Sequence, residues 1–270
     1  MVIILVALGL NLVFGIMKIV NLAHGEFYMF GAYLLWWVSV QHSVPLFPGF
    51  LISVIAIAGL GILTQKMFFK YLRGEFLPAL LISIGITMIL QTIVLLIFGE
   101  QPRGIPTPEI LKGVFRMYGL VISRERLAAI VVTLFCLILI NLFLRLRIGK
   151  AVQAVAQEPD AAALQGININ YISYLVMGLG SAMAAVGGCL MGIINPITAT
   201  MGGEPLLEAL VVIVLGGLGS IPGTIVGGFI LGLTKGFMGS YATSTLASIT
   251  VYSLLFLFLI FKPTGIFGRE

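Results

Sequence analysis

The chain has 270 residues, of which 60% are hydrophobic and 9% charged, with a formal net charge of +5 and a mean hydropathy of +1.15. Soluble domains carry about 25% charged residues, so this composition excludes an ordinary soluble protein and makes lipid the solvent. Unbroken apolar runs such as 246–261 exclude an outer-membrane barrel, whose strands alternate, and Lys and Arg scattered between apolar runs exclude a nucleic-acid-binding patch.

A spanning helix needs about 20 predominantly apolar residues. The first run, 1–17, is short ahead of Gly15, which is expected if a fuller first helix begins upstream, and it lacks the basic leader of a cleavable signal peptide. Asn21, His24 and Glu26 then interrupt the apolar sequence, between Gly15 and the pair Gly25 and Gly31. Ionisable residues are costly at membrane depth and usually face a bundle interior or a water-filled path, so this interruption reads as a broken helix. Further spans are expected near 25–41, 49–69, 77–98, 126–146, 169–194, 222–240 and 243–262. A run near 205–215 is too short to cross and reads as re-entrant. The expected fold is therefore all-α: a polytopic helical membrane protein of about eight spans plus a short re-entrant helix, with helices broken near the midplane. Residues 1–270 form a single transmembrane domain.

Basic residues set the orientation. Lys66, Lys70 and Arg73 crowd one short loop, Arg145, Arg147 and Lys150 a second, and Lys262 and Arg269 the C-terminal end. The span count puts all three on one side, which is read as cytoplasmic; the reverse topology is the alternative. The loop near 99–125 is longer and mixes Arg103, Lys112, Arg116 and Arg124 with Glu100, Glu109 and Glu125. Its Pro102, Pro106, Pro108 and Gly104 suit an extended extracytoplasmic loop carrying a small hairpin.

Within the loop 147–168, residues 158–166 read as a short helix. Pro159 suits the first helical position, Asp160 the positive end of the dipole, and Gly166 the stop. So short a helix is not stable alone and must be held, by a lipid surface, by the rest of the chain or by a partner.

Several polar residues carry two readings each. His24 and Glu26, two apart, share no face of a regular helix; with Asn21 they form either a polar collar on a path or a network that caps the broken helix. Ser83, Thr87 and Gln91 recur every four residues on one stripe, either helix-packing glue or path lining. Asn195 and Thr198 flank Pro196 at a span end. Glu204 and Glu208 share a face at the start of the short helix, where acidic groups cap the dipole; a lumen-facing role is the alternative. Lys235 is read as snorkelling from its span, with no role in solute handling. The path candidates are thus Asn21, His24, Glu26, Ser83, Thr87, Gln91, Asn195 and Glu208. Cys136 and Cys189 sit in apolar spans without metal or redox spacing. The Gly-rich stretch 216–223, followed by Gly227 and Gly228, lacks the Gly-Lys-Ser/Thr of a phosphate loop and reads as a tight turn and close helix packing. The likeness of His24-Gly25 before Gly31-Ala32 to Pro222-Gly223 before Gly227-Gly228 hints at two related halves.

An ordered set of segments carries a family resemblance: Ala7 through Gly15, Val20 through Glu26 with Gly31-Ala32-Tyr33, Ala154 through Ala162 to Gly166-Ile167, Gly216 through Gly223, and Lys262-Pro263 with Gly265 through Gly268. The chain resembles permease subunits of the branched-chain amino acid ABC importers, of the LivH type. The Asn-Leu-Ala-His-Gly-Glu segment is similar to that branch; the sister permease LivM usually differs there. The resemblance implies a complex of this permease with a second one (LivM-like or another copy), two ABC ATPases and an extracytoplasmic solute-binding protein, in a bacterial or archaeal cytoplasmic membrane. ATP, the only cofactor implied, would be bound by the ATPases, and this chain would not itself be an enzyme. The resemblance also implies that residues 156–166 form a coupling helix entering a groove on the ATPase, through Gln157, Glu158, Asp160, Ala161, Ala162, Leu164, Gln165 and Gly166. The solute would be a branched-chain or related amino acid; urea, amides or other small organic solutes, and an ATP-independent channel or secondary carrier, are the alternatives.

Overall fold

The computed structural model describes residues 1–72, 74–117, 120–241, 243–262 and 265–267; Arg73, Pro263, Gly268 and Arg269, singled out above, lie outside the described residues. In chain order the helices are α1 (Val2–Met17), α2 (His24–Trp36), α3 (Leu46–Met67), α4 (Phe76–Phe98), α5 (Arg124–Arg145), α6 (Arg147–Gln157), α7 (Pro159–Leu164), α8 (Ile169–Ile194), α9 (Gly203–Gly216), α10 (Ile221–Tyr241) and α11 (Ser244–Phe261). A π-turn, Trp37–Gln41, prolongs α2. Between α4 and α5 lies the expected hairpin: β1 (Val114–Met117) pairs antiparallel with β2 (Leu120–Ser123), with Val114 opposite Ser123 and Phe115 opposite Ile122.

Five helices, α3, α4, α5, α8 and α10, are long and apolar enough to cross a membrane; α1 and α11 are shorter apolar helices. The expectation of a full crossing over 25–41 is revised. At about 1.5 Å per residue, α2 and its π-helical extension rise only about 25 Å, short of the roughly 30 Å hydrocarbon core, and the helix starts inside the bundle, with His24 beside Val6 and Gly9 of α1. Physically, α1 ends at Lys18, which takes the left-handed conformation (φ 56°) and whose N–H closes the helix on the Phe14 carbonyl, and the chain turns back from there.

The core is built around α8 and α1. Residues along α1 are apolar on every side and mostly buried, which marks a fully enclosed helix. Helix contacts in lipid rely on close packing at small residues. Here a side chain at Gly9 would meet the Gly180 carbonyl at 2.7 Å, and one at Gly31 would meet the Ala185 Cα at 2.7 Å, so α1 and α2 both lie backbone-close to α8. Helices α3, α4, α5 and α11 instead turn large apolar side chains outward, among them Ile55, Leu96, Phe135 and Phe256.

Two passages mirror one another. After α1, the chain turns back into the bundle and starts the half-helix α2; after α8, residues 195–202 turn back and start the half-helix α9. The two half-helices start against each other: a Cβ on Gly25 would sit 2.5 Å from the Gly202 carbonyl. The residues that the structure sets against His24-Gly25 are thus Gly202-Gly203 and not Pro222-Gly223. Pro222-Gly223 instead opens the full-length α10, where Gly223 packs on Gly216. The turn between α9 and α10 is fastened by Asn11 of α1, which donates to the Ser220 carbonyl (3.0 Å) and to Thr224 Oγ1 (2.7 Å) and accepts from the Gly219 N–H (2.7 Å).

The bundle has two distinct ends. The hairpin, the end of α4 and residue 103 gather at one, where Arg103 bridges to Ile197 and lies over Trp36. Helices α6 and α7 mark the other, where the Lys18 ammonium donates to the Ala156 carbonyl (3.3 Å) and Ile266 returns to Leu215. The antiparallel run of α3, α4 and α5 brings Lys66, Lys70, Arg145, Arg147 and Lys150 to that second end.

Candidate translocation site

The sequence-derived path candidates divide into two groups. The first surrounds the start of α2. Asn21 Oδ1 accepts from the Ala23 N–H (3.1 Å), bracing the turn, while its amide faces Met177 Sδ at 3.8 Å. His24 is fully buried (0% exposed), and its Nε2 lies 3.1 Å from the Val6 carbonyl, a bond made by the Nε2–H form. Glu26, 2% exposed, accepts a 2.8 Å bond from Gln91 Nε2, so α4 reaches α2 through this pair. Among the described residues, His24 Nδ1 and Glu26 Oε2 have no hydrogen-bond partner. Of the stripe on α4, only Gln91 leaves its own helix: Ser83 donates to the Leu80 carbonyl (2.7 Å) and Thr87 to the Ser83 carbonyl (3.0 Å). These six residues sit within helix packing.

The second group lines a cavity of about 480 Å³ in the half of the bundle nearer the hairpin. Asn195 and Thr198, from the passage after α8, and Glu208, from α9, meet here. They are joined by Tyr28, Thr200, Glu204 and, from α10, Lys235. The Lys235 ammonium donates to Glu204 Oε1 at 2.8 Å and also to Glu208 Oε1. The reading of Lys235 as a snorkelling residue is thereby corrected: the chain supplies two carboxylates within reach, one turn apart on α9, and a paired ammonium inside the bundle needs no excursion to the membrane surface. Glu204 likewise does more than cap α9. The signal was present in the sequence, since an ionisable residue within an apolar span is functional by default, but its partners lie 27 and 31 residues away.

At the opposite end, the loop 147–168 holds two helices rather than one. Helix α6 buries Gly149, Val152 and Val155 on one face. A break at Glu158 then lets Pro159 start α7, which ends before Gly166 at φ 81°. Ala162, expected on the outward face, is 4% exposed and packs into the chain. It anchors α7, because a six-residue helix needs one face held. Gln157, Glu158, Asp160, Ala161, Gln165 and Gly166 are exposed, and Leu164 is 88% exposed. Among the described residues, no cluster of His, Cys, Asp or Glu is arranged to hold a metal ion.

A family model described as branched-chain amino acid transport system / permease component matches residues 1–261. The chain belongs to this family. Among curated permeases, it is 36% identical to the high-affinity branched-chain amino acid transport system permease protein BraD of Pseudomonas aeruginosa, over 98% of this chain and 91% of the relative. It is 32% identical to LivH of Salmonella typhimurium, over 98% and 91%. The likeness to LivM of Escherichia coli is weaker, 24% over 98% of this chain and 68% of the relative. No solved structure matches. As a permease component of the LivH type, the chain is a multi-pass membrane protein, and both broken passages and the charged cavity fall within the family match.

Proposed function

We propose that this chain is a translocation subunit of an ATP-driven importer for branched-chain or closely related amino acids, in a prokaryotic cytoplasmic membrane. The observation that carries the reading is the family match across 1–261 together with similar length and 36% identity to a permease of that named transport system. Helix α7 supports it physically. It is a short helix pinned on one side by Ala162 and offering Leu164 to a partner on the other. Such an element transmits rigid-body movement, so it suits docking on an ATPase. The end bearing α6, α7 and the basic loops is then cytoplasmic. ATP binding and hydrolysis belong to two ABC ATPase subunits, solute capture to an extracytoplasmic binding protein, and the path is completed by a second permease, LivM-like or another copy of this chain. The outward apolar faces of α3, α4, α5 and α11 meet lipid or that second permease.

Affinity isolation of the chain from its native membrane, with mass spectrometry, tests this. Recovery of an ATPase, a permease and a binding protein, and ATP-dependent uptake of leucine by the reconstituted assembly, is expected. Recovery of the chain alone, moving solute without ATP, would overturn the importer.

A further inference from the structure

We infer that the cavity between α1, α8, α9 and α10 is a transient binding site for the zwitterionic head of an α-amino acid, with Lys235 taking the solute's carboxylate and Glu204 its ammonium. This rests on the importer reading and adds to it a place, a charge pattern and named contacts.

Three ionisable side chains converge on one cavity between apolar helices, a setting in which such groups tend to mark solute or ion paths. A structural staple between α9 and α10 needs one acid and one base; here there are two acids. They are also unequally placed: the Glu208 side chain is 11% exposed, those of Lys235 and Glu204 36% and 61%. Glu208 thus holds Lys235 from behind, while the Lys235–Glu204 pair is the accessible half of the cluster. A zwitterion inserted into that half exchanges one ion pair for two, carboxylate with Lys235 and ammonium with Glu204, while Lys235 keeps its bond to Glu208 and the net charge of the cluster is unchanged. A solute anion gains only Lys235 and faces both carboxylates, and a solute cation gains only Glu204, so each makes one new charged contact where the zwitterion makes two.

The remaining walls match the rest of the molecule. Val2, Ile3, Val6, Met191 and Met201 line the same cavity with aliphatic and thioether surface, which suits a branched side chain; methionine adapts to its shape. Thr198 and Thr200 add hydroxyls beside the charged end.

The test uses the assembly that co-purifies with the chain, in proteoliposomes, carrying Thr200→Cys as a reporter. A thiol-alkylating reagent is applied with leucine, leucinamide or 4-methylpentanoate, and labelling at that position is quantified by mass spectrometry. Leucine is expected to slow labelling about threefold at a concentration twice its dissociation constant, while the amide and the acid have little effect. Adding Lys235→Met or Glu204→Gln should abolish protection, and Lys235→Arg should retain it; thermal unfolding of each variant separates loss of the site from loss of the fold. Equal labelling with and without leucine, in an assembly that still takes up leucine, would overturn the site and leave the importer standing. Equal protection by leucinamide or 4-methylpentanoate would also overturn it. Failure of the unsubstituted assembly to take up leucine would instead overturn the proposed function itself.

Discussion

Asn11 offers the sharpest test of how the bundle is held together. It is 1% exposed on an otherwise apolar helix and makes three hydrogen bonds to one turn: two donated, to Ser220 O and Thr224 Oγ1, and one accepted, from Gly219 N–H. Asn11→Leu keeps the volume and removes all three. Side-chain hydrogen bonds in membrane bundles average about 0.6 kcal/mol, so the bonds together account for about 2 kcal/mol. The partners are not equally stranded. The Ser220 carbonyl still accepts from Thr224 (2.9 Å), whereas the Gly219 N–H loses the acceptor it has. Gly219 is at the exposed end of the turn, so its penalty belongs at the low end of the range for an orphaned donor, about 1 kcal/mol. The expected destabilisation is about 3 kcal/mol, read by steric-trap unfolding in bicelles. Asn11→Asp keeps the acceptor for Gly219 but sets a buried carboxylate oxygen against the Ser220 carbonyl, so it should lose at least as much. If Asn11→Leu unfolds within about 0.5 kcal/mol of the parent, the turn is held by glycine packing and not by Asn11, and the reasoning fails.

Further tests follow from other contacts. Gln91→Leu removes the donor to buried Glu26 and should cost about 1.5–3 kcal/mol; the double variant with Glu26→Leu should recover part of that, and strictly additive losses in the same unfolding assay would refute a coupled pair. Gly25→Val drives a branched side chain into the Gly202 carbonyl, so overpacking of at least about 1–3 kcal/mol should reduce the yield of monodisperse protein in detergent, and wild-type yield would contradict the close approach of the half-helices. Leu164→Glu should leave unfolding unchanged, because the side chain is 88% exposed, yet weaken ATPase association about tenfold or more if Leu164 is an anchor; unchanged co-purification of the ATPase would remove α7 from the coupling surface. Ala162→Trp should behave oppositely and destabilise the fold, since that side is packed, which differential scanning fluorimetry would show.

Legibility in the sequence followed the range of the interaction. The break at Asn21–Glu26 was visible because polar groups interrupt an apolar run, and α9 because its run is too short to cross. Helix α7 was marked by Pro159 and Gly166, and the hairpin by the Pro and Gly of its loop. Pairings across the bundle were not visible. Lys235 resembled a snorkelling residue because the carboxylates that hold it are on another helix, and Ala162 looked outward because helical spacing alone cannot say which face meets the chain. The meeting of 24–25 with 202–203 was hidden for the same reason: the two segments lie far apart in the chain and share only the small residues at their point of contact.

The enclosure of α1 has a consequence for how the protein is made. Among the described helices, α1 precedes all the others in the chain and is enclosed by α8 to α10, by α5 and α6, and by His24 of α2. Its main neighbour α8 begins at Ile169, so more than half of the chain must be synthesised before α1 can exchange lipid for protein. Until then Asn11 has no partner in the chain, since its bonds are all to residues beyond position 218. The early helices therefore wait in the bilayer in a provisional arrangement, and insertion ends with a rearrangement in which α8 and α9 displace lipid from around a helix already in place.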